Sequence, residues 1–165
     1  VFTSSLYKAI PAGGGFVAAN TQIIIYLQHG ASSSMFSAAM PPAIAGAANA
    51  ALDILKRDGR GLIKKLHSNT GYLRNGLKRL GFNIGYSQSS IIAVVVGNKE
   101  LTLILSAKLY ELGFLATPVV FPAVPPGSDR LRVCVTAAQT KEILDKILHA
   151  FETCKQVIQR QKNAA

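Results

Sequence analysis

Ser5-Leu6-Tyr7-Lys8-Ala9-Ile10-Pro11-Ala12-Gly13-Gly14-Gly15-Phe16 is the stretch on which the reading of this chain turns. It places a lysine where a short strand, residues 1–6, runs into a loop, and a glycine run then leads into a second strand over 16–19. Between Lys8 and Asp53 there is no Asp, Glu, Lys or Arg. Lys8 therefore sits in uncharged, glycine-rich surroundings. A low dielectric disfavours the ammonium. A neutral amine can form a Schiff base with an aldehyde, and the small hydroxyl side chains just before Lys8 suit a phosphate. Taken alone, a lysine beside a glycine run is an ordinary loop residue.

A second stretch is Phe121-Pro122-Ala123-Val124-Pro125-Pro126-Gly127-Ser128-Asp129-Arg130-Leu131-Arg132-Val133. Alternation along a strand puts Arg130 and Arg132 on one face and Leu131 on the other. An arginine entering an apolar strand needs a partner. Its planar fork fits a carboxylate, either a substrate's or that of Asp129 or a Glu.

Composition limits the classes. With 165 residues, 49% apolar and only 16% charged, the chain is no disordered segment. Two cysteines, Cys134 and Cys154, make neither a disulfide scaffold nor a metal site, and both are expected to be buried thiols in a reducing, cytoplasmic setting. No signal peptide is visible, and the first Met is Met35. The uncharged stretch does not read as a membrane span, because Pro11, Pro41, Pro42, the glycines and Ser32–Ser34 interrupt it. Burial in a core, against a cofactor or against a second subunit is the expected cause.

The net charge of +10 is concentrated in residues 56–79, where Lys56, Arg57, Arg60, Lys64, Lys65, Arg74, Lys78 and Arg79 face a single acid, Asp58. Such a run is a solvated helix face or an anion-binding surface, and a nucleic-acid-binding module using 56–79 is one alternative function. Tyr72 is the only aromatic among these charges. His29, His67 and His149 lie far apart on predicted helices, and no hydrolase motif is present.

Periodicity supplies the remaining elements. Asn20 caps a helix through Gln28 that ends at Gly30, and Pro41-Pro42 starts one through about Arg57, which Gly59 and Gly61 interrupt. A further helix carries Leu62, Leu66, Leu73, Leu77 and Leu80 and stops at Gly81. Ser90–Val96 is a buried strand. Asn98 caps a helix ending at Gly113. Phe114–Thr117 and Leu131–Thr136 are strands flanking a Pro-rich turn, and Thr140 caps the last helix. Helices on one face of a small, mainly antiparallel sheet are expected.

The two quoted stretches resemble the α-oxoamine synthase family of pyridoxal-phosphate enzymes. Its Ser/Thr-x-Ser-Lys-Ala motif is matched by Ser5-Leu6-Tyr7-Lys8-Ala9, followed by Gly14-Gly15-Phe16. Its Phe-Ser-x-x-x-Pro-Pro motif is matched by Phe36-Ser37-Ala38-Ala39-Met40-Pro41-Pro42. Its Val-Pro-x-Gly-x-x-Arg-Leu-Arg motif is matched by Val124 to Arg132, and its Ser/Thr-Ala-Ala-His-Thr by Thr136-Ala137-Ala138-Gln139-Thr140.

The resemblance implies an α/β, aspartate-aminotransferase-like fold (fold type I), seen in part. Residues 1–40 would end the cofactor-binding large domain, and 41–165 would form the α+β C-terminal domain. It implies pyridoxal 5'-phosphate held by Lys8 as Schiff-base lysine and proton-transfer base. Ser5 would sit on the cofactor phosphate, Ser37 where a second subunit reaches that phosphate, and Arg132 on the amino-acid carboxylate. The implied reaction is decarboxylative condensation of an amino acid with an acyl thioester, usually acyl-CoA, in a cytoplasmic homodimer with no metal and no nucleic-acid partner. Tyr7, Ala38, Ala123 and Gln139 depart from the family pattern, which keeps a non-catalytic partner subunit as an alternative. The family's pyridine-nitrogen aspartate and ring-stacking histidine lie upstream of the lysine, so the rest of the enzyme is expected outside this chain.

Overall fold

The computed structural model describes residues 1–162, with side chains as far as residue 156. The chain forms two compact units that divide between Arg60 and Gly61.

In the first unit, β1 (Phe2–Ser5) pairs antiparallel with β2 (Gly15–Ala18), with Ser5 opposite Gly15. The loop between them is closed by the Leu6 N–H donating to the Gly14 carbonyl at 2.9 Å. The glycines are required here. Gly14 has φ +92°, and a Cβ on Gly15 would lie 2.8 Å from the backbone oxygen of Ser4. Helix α1 (Thr21–Gly30) starts as the sequence predicts, with Asn20 Oδ1 accepting from the Ile23 N–H at 3.0 Å. A single helical turn, α2 (Ser32–Met35), follows; sequence periodicity gave no sign of it.

Helix α3 runs unbroken over Pro42–Arg79. The expected interruption at Gly59 and Gly61 is absent. Glycine costs a helix interior only about 1 kcal/mol relative to Ala, and no proline lies inside to remove an N–H or clash with the preceding turn. The division between the units thus falls within this helix.

The second unit adds β3 (Ile91–Val95), α4 (Lys99–Glu111), β4 (Thr117–Val119), β5 (Arg130–Cys134) and α5 (Lys141–Lys162). The strands form one antiparallel sheet in the order β3-β5-β4. Its inner face presents Ile92, Val94, Leu131 and Val133 to Leu73 and Leu77 of α3, Leu105 and Leu109 of α4, and Leu144, Ile147 and Phe151 of α5. Phe82 meets Phe151 edge-on, with ring centroids 5.3 Å apart. Leu62, at the start of the predicted leucine stripe, is instead exposed.

The predicted caps hold here too. Asn98 Oδ1 accepts from the Leu101 N–H at 2.9 Å, and Thr140 Oγ1 from the Ile143 N–H at 3.4 Å. Gly81 and Gly113 take the left-handed conformation at the stops of their helices. Helices on one face of an antiparallel sheet are thus the observed architecture, and the other sheet face is left open.

Candidate functional site

The first unit contains a groove of about 860 Å³. One wall is the hairpin, with Ser4 and Ser5 of β1 and Gly15 and Phe16 of β2. The other is α1 and α2, with Ile24 and Leu27 below Ser33 and Ser34. Four serine hydroxyls, the Thr3 hydroxyl and the Gln28 amide line this space among apolar side chains. Each can donate to an oxyanion. The sequence marks Ser33 and Ser34 only through the run Ser32-Ser33-Ser34, which by itself is a break in hydrophobicity.

Of the residues singled out in this unit, Ser5 lines the groove, whereas Lys8 and Ser37 do not. Lys8 lies three residues further on, in the hairpin loop, and is exposed; Ser37 follows α2 and is exposed. The uncharged stretch around Lys8 is not explained by burial within this chain. Of its apolar side chains, Ile25, Tyr26 and Phe36 are 51%, 75% and 86% exposed.

The second unit supplies the arginines. Along β5 the side chains alternate as expected, with Leu131 and Val133 buried beneath the sheet and Arg130, Arg132 and Cys134 on its open face. Arg130 Nε donates to the Ser128 carbonyl at 2.8 Å. Arg132 enters none of the four ion pairs among the described residues. Asp129 does not pair with it, although Asp129 is buried; its backbone oxygen accepts from the Val96 and Gly97 N–H groups, both at 2.9 Å. The alternative of an Asp129 ion pair is therefore not realised, and a guanidinium fork stands open on a sheet face. Cys134 is exposed rather than buried as expected, because it shares that face; Cys154 is buried.

Gln139, one of the departures from the family pattern, has a structural part. Its Oε1 accepts from the Thr136 N–H at 3.0 Å, while Asn69 Nδ2 donates to the carbonyls of Thr136 and Gln139 at 3.0 and 2.9 Å. The turn after β5 is thereby tied to α3.

The groups with displaced titration neither line the groove nor belong to β5. The Tyr72 hydroxyl donates to Asp145, and this bond, with some burial, pushes its pKa up. Glu111, 2.7 Å from Lys108, raises that ammonium's pKa. Burial pushes the Cys154 thiol up, against the lowering effect of Lys108. The cations of 56–79 lie on α3, nearly all exposed. Among the described residues, no helix is long and apolar enough to cross a membrane.

Comparison with known proteins gives the family of the chain. Residues 1–151 match the family model for aminotransferase class I and II, and the chain belongs to that family. Its relatives place it in the α-oxoamine synthase group. The 8-amino-7-oxononanoate synthase of Thermoanaerobacter pseudethanolicus is 42% identical over 148 residues, 90% of this chain and 37% of that protein. The serine palmitoyltransferase of Bacteriovorax stolpii is 35% identical over 150 residues, 91% of this chain and 36% of that one. Among solved structures, SPT with PLP superposes with a TM-score of 0.87 at 25% identity, covering 94% of this chain and 39% of the other. The chain thus spans under two fifths of the length of these relatives, and it shares their aminotransferase-like fold over that part.

Proposed function

We propose that this chain is the C-terminal part of a pyridoxal-phosphate-dependent acyltransferase that condenses an amino acid with an acyl thioester, such as an acyl-CoA, and acts as a cytoplasmic homodimer. The observation that carries the reading is a family match running without a break across both units, from the lysine hairpin to the arginine strand. In this division of labour, residues 1–40 end the cofactor-binding domain and 41–165 form the small domain.

The residues present fit part of such a cofactor. A hydroxyl-lined groove suits a phosphate, and the close approach of its two strands at Ser4 requires Gly15, where a Cβ would meet the Ser4 backbone oxygen. Lys8 would hold the cofactor through its amine and Ser5 would hold its phosphate, which Ser37 would reach from a second subunit. When bound, pyridoxal phosphate supplies the electron sink for a carbanion beside the amino nitrogen. Lys8 moves the proton at the substrate α-carbon, which requires its amine unprotonated at that moment. Arg132 binds the amino-acid carboxylate, and its fork, which enters no ion pair among the described residues, supports that role. In the overall reaction the carboxylate leaves as carbon dioxide, the acyl carbon is joined to the α-carbon, and the thiol departs.

The test uses the full-length enzyme loaded with pyridoxal phosphate. Borohydride reduction followed by peptide mass mapping is expected to leave the pyridoxyl group on Lys8, and carbon dioxide release is expected to need both amino acid and acyl thioester. A label on another lysine, or no label, overturns the assignment.

A further inference from the structure

The open face of the sheet carries a row of side chains in which Arg132 is the middle member. Ala93 of β3 and Thr117 of β4 stand directly opposite Arg132 on its two sides. Residues opposed in an antiparallel ladder emerge on the same face with Cβ atoms about 4.5–5.5 Å apart. The two flanks differ. Ala93 has only a methyl group, which leaves the guanidinium accessible on that side. Thr117 brings a hydroxyl, is exposed, and makes no hydrogen bond through it among the described residues. Other threonine hydroxyls of this unit are engaged: Thr70 donates to the Leu66 carbonyl at 2.7 Å and Thr102 to that of Asn98 at 2.6 Å.

The direction of Thr117 is also fixed. It precedes Pro118, which confines it to extended backbone, and its β-branch stiffens χ1. The row below holds Val95, Arg130 and Val119, with Arg130 already bonded to Ser128. A carboxylate has about four acceptor sites, of which an arginine fork occupies two.

We propose that Thr117 is a second substrate-binding residue, whose hydroxyl donates to the same carboxylate that the Arg132 fork holds. The pair then selects an amino acid with a free α-carboxylate. This inference rests on the role given to Arg132 above.

The experiment measures amino-acid Kd on the full-length, cofactor-loaded enzyme from the change in cofactor absorbance, together with KM and kcat. A hydrogen bond to a charged group predicts that Thr117→Val, which keeps the branched shape, raises Kd and KM for the amino acid about tenfold or more. The KM for the acyl thioester should stay as it is, and Thr117→Ser should bind within about twofold of the parent. Thermal melts check that each variant is folded. If Thr117→Val leaves Kd unchanged while Arg132→Ala weakens it, the inference fails and the reading of Arg132 stands. If Thr117→Ser loses as much as Thr117→Val, the stem rather than the hydroxyl matters, and the inference fails again. If Arg132→Ala itself leaves Kd unchanged, both fall.

Discussion

The two units of this chain bury their apolar residues very differently. From Gly61 onward, leucines of three helices close on the inner face of a three-stranded sheet, and Leu73, Leu77, Leu109, Ile92 and Leu131 are shut from water altogether. In Val1–Arg60 the buried apolar side chains among the described residues are Ala12 and Ala48, two methyl groups. Its sheet has two strands, too few to be stable by themselves. Burial of apolar area is the main force holding a fold. The second unit therefore holds its arginine face on a closed core, while the hairpin that carries Lys8 must be held by surfaces that these sixty residues do not provide. The chemistry proposed for Lys8 sits on the weakly supported side, and the carboxylate binding proposed for Arg132 on the firmly supported one.

That contrast can be tested, beginning with the largest effect. Lys8→Ala in the full-length enzyme should lower turnover by about 10²–10⁴-fold without moving the melting temperature of the cofactor-free protein, because an exposed loop side chain contributes little packing. A drop in melting temperature comparable to that of a core variant would show that Lys8 belongs to a packed region. Next, Phe151→Ala should destabilise the second unit by about 3–5 kcal/mol, read from denaturant unfolding. A loss under 1 kcal/mol would mean that this core is not the closed one described.

A smaller effect is expected from Gly15→Ala. The added Cβ meets a backbone oxygen, so the strands must part, at a cost of about 1–3 kcal/mol. The result should appear as weaker cofactor retention in dialysis, with the second unit's unfolding unchanged. Undiminished retention would remove Gly15 from the groove's wall.

The smallest is a pH effect. Burial holds the proton on Cys154 to higher pH in the folded chain than in the unfolded one. The stability linked to that proton is whole below the ordinary thiol value of 9.0 and is lost as pH rises through the raised folded value. In Cys154→Ala the alkaline slope of stability should flatten, whatever the cavity costs at neutral pH. An identical slope in both proteins would place the titration elsewhere.

Local signals in the sequence were reliable where one residue acts on its immediate neighbours. Asn20, Asn98 and Thr140 cap helices because a side-chain oxygen reaches an N–H three residues on. The alternation at Arg130-Leu131-Arg132 set the face of each side chain. The same kind of reasoning failed at Gly59 and Gly61, where a modest propensity cost was taken for a break in a helix that continues through both. It failed at Cys134 as well, because an apolar neighbourhood along the chain says nothing about which sheet face is covered.

The sequence by itself determined the family, the two motif-bearing segments, and the residue types able to bind phosphate, carboxylate and carbonyl groups, since motifs and periodicity are properties of order along the chain. Only the tertiary structure decided that Ser33 and Ser34 line one groove with Ser5, that Arg132 enters no ion pair among the described residues, and that Thr117 stands beside it. The two facts about Arg132 depend on which strands pair and in what register, and that pairing is set by the burial of Leu131, Val133, Ile92 and Val94 against helices far away in sequence.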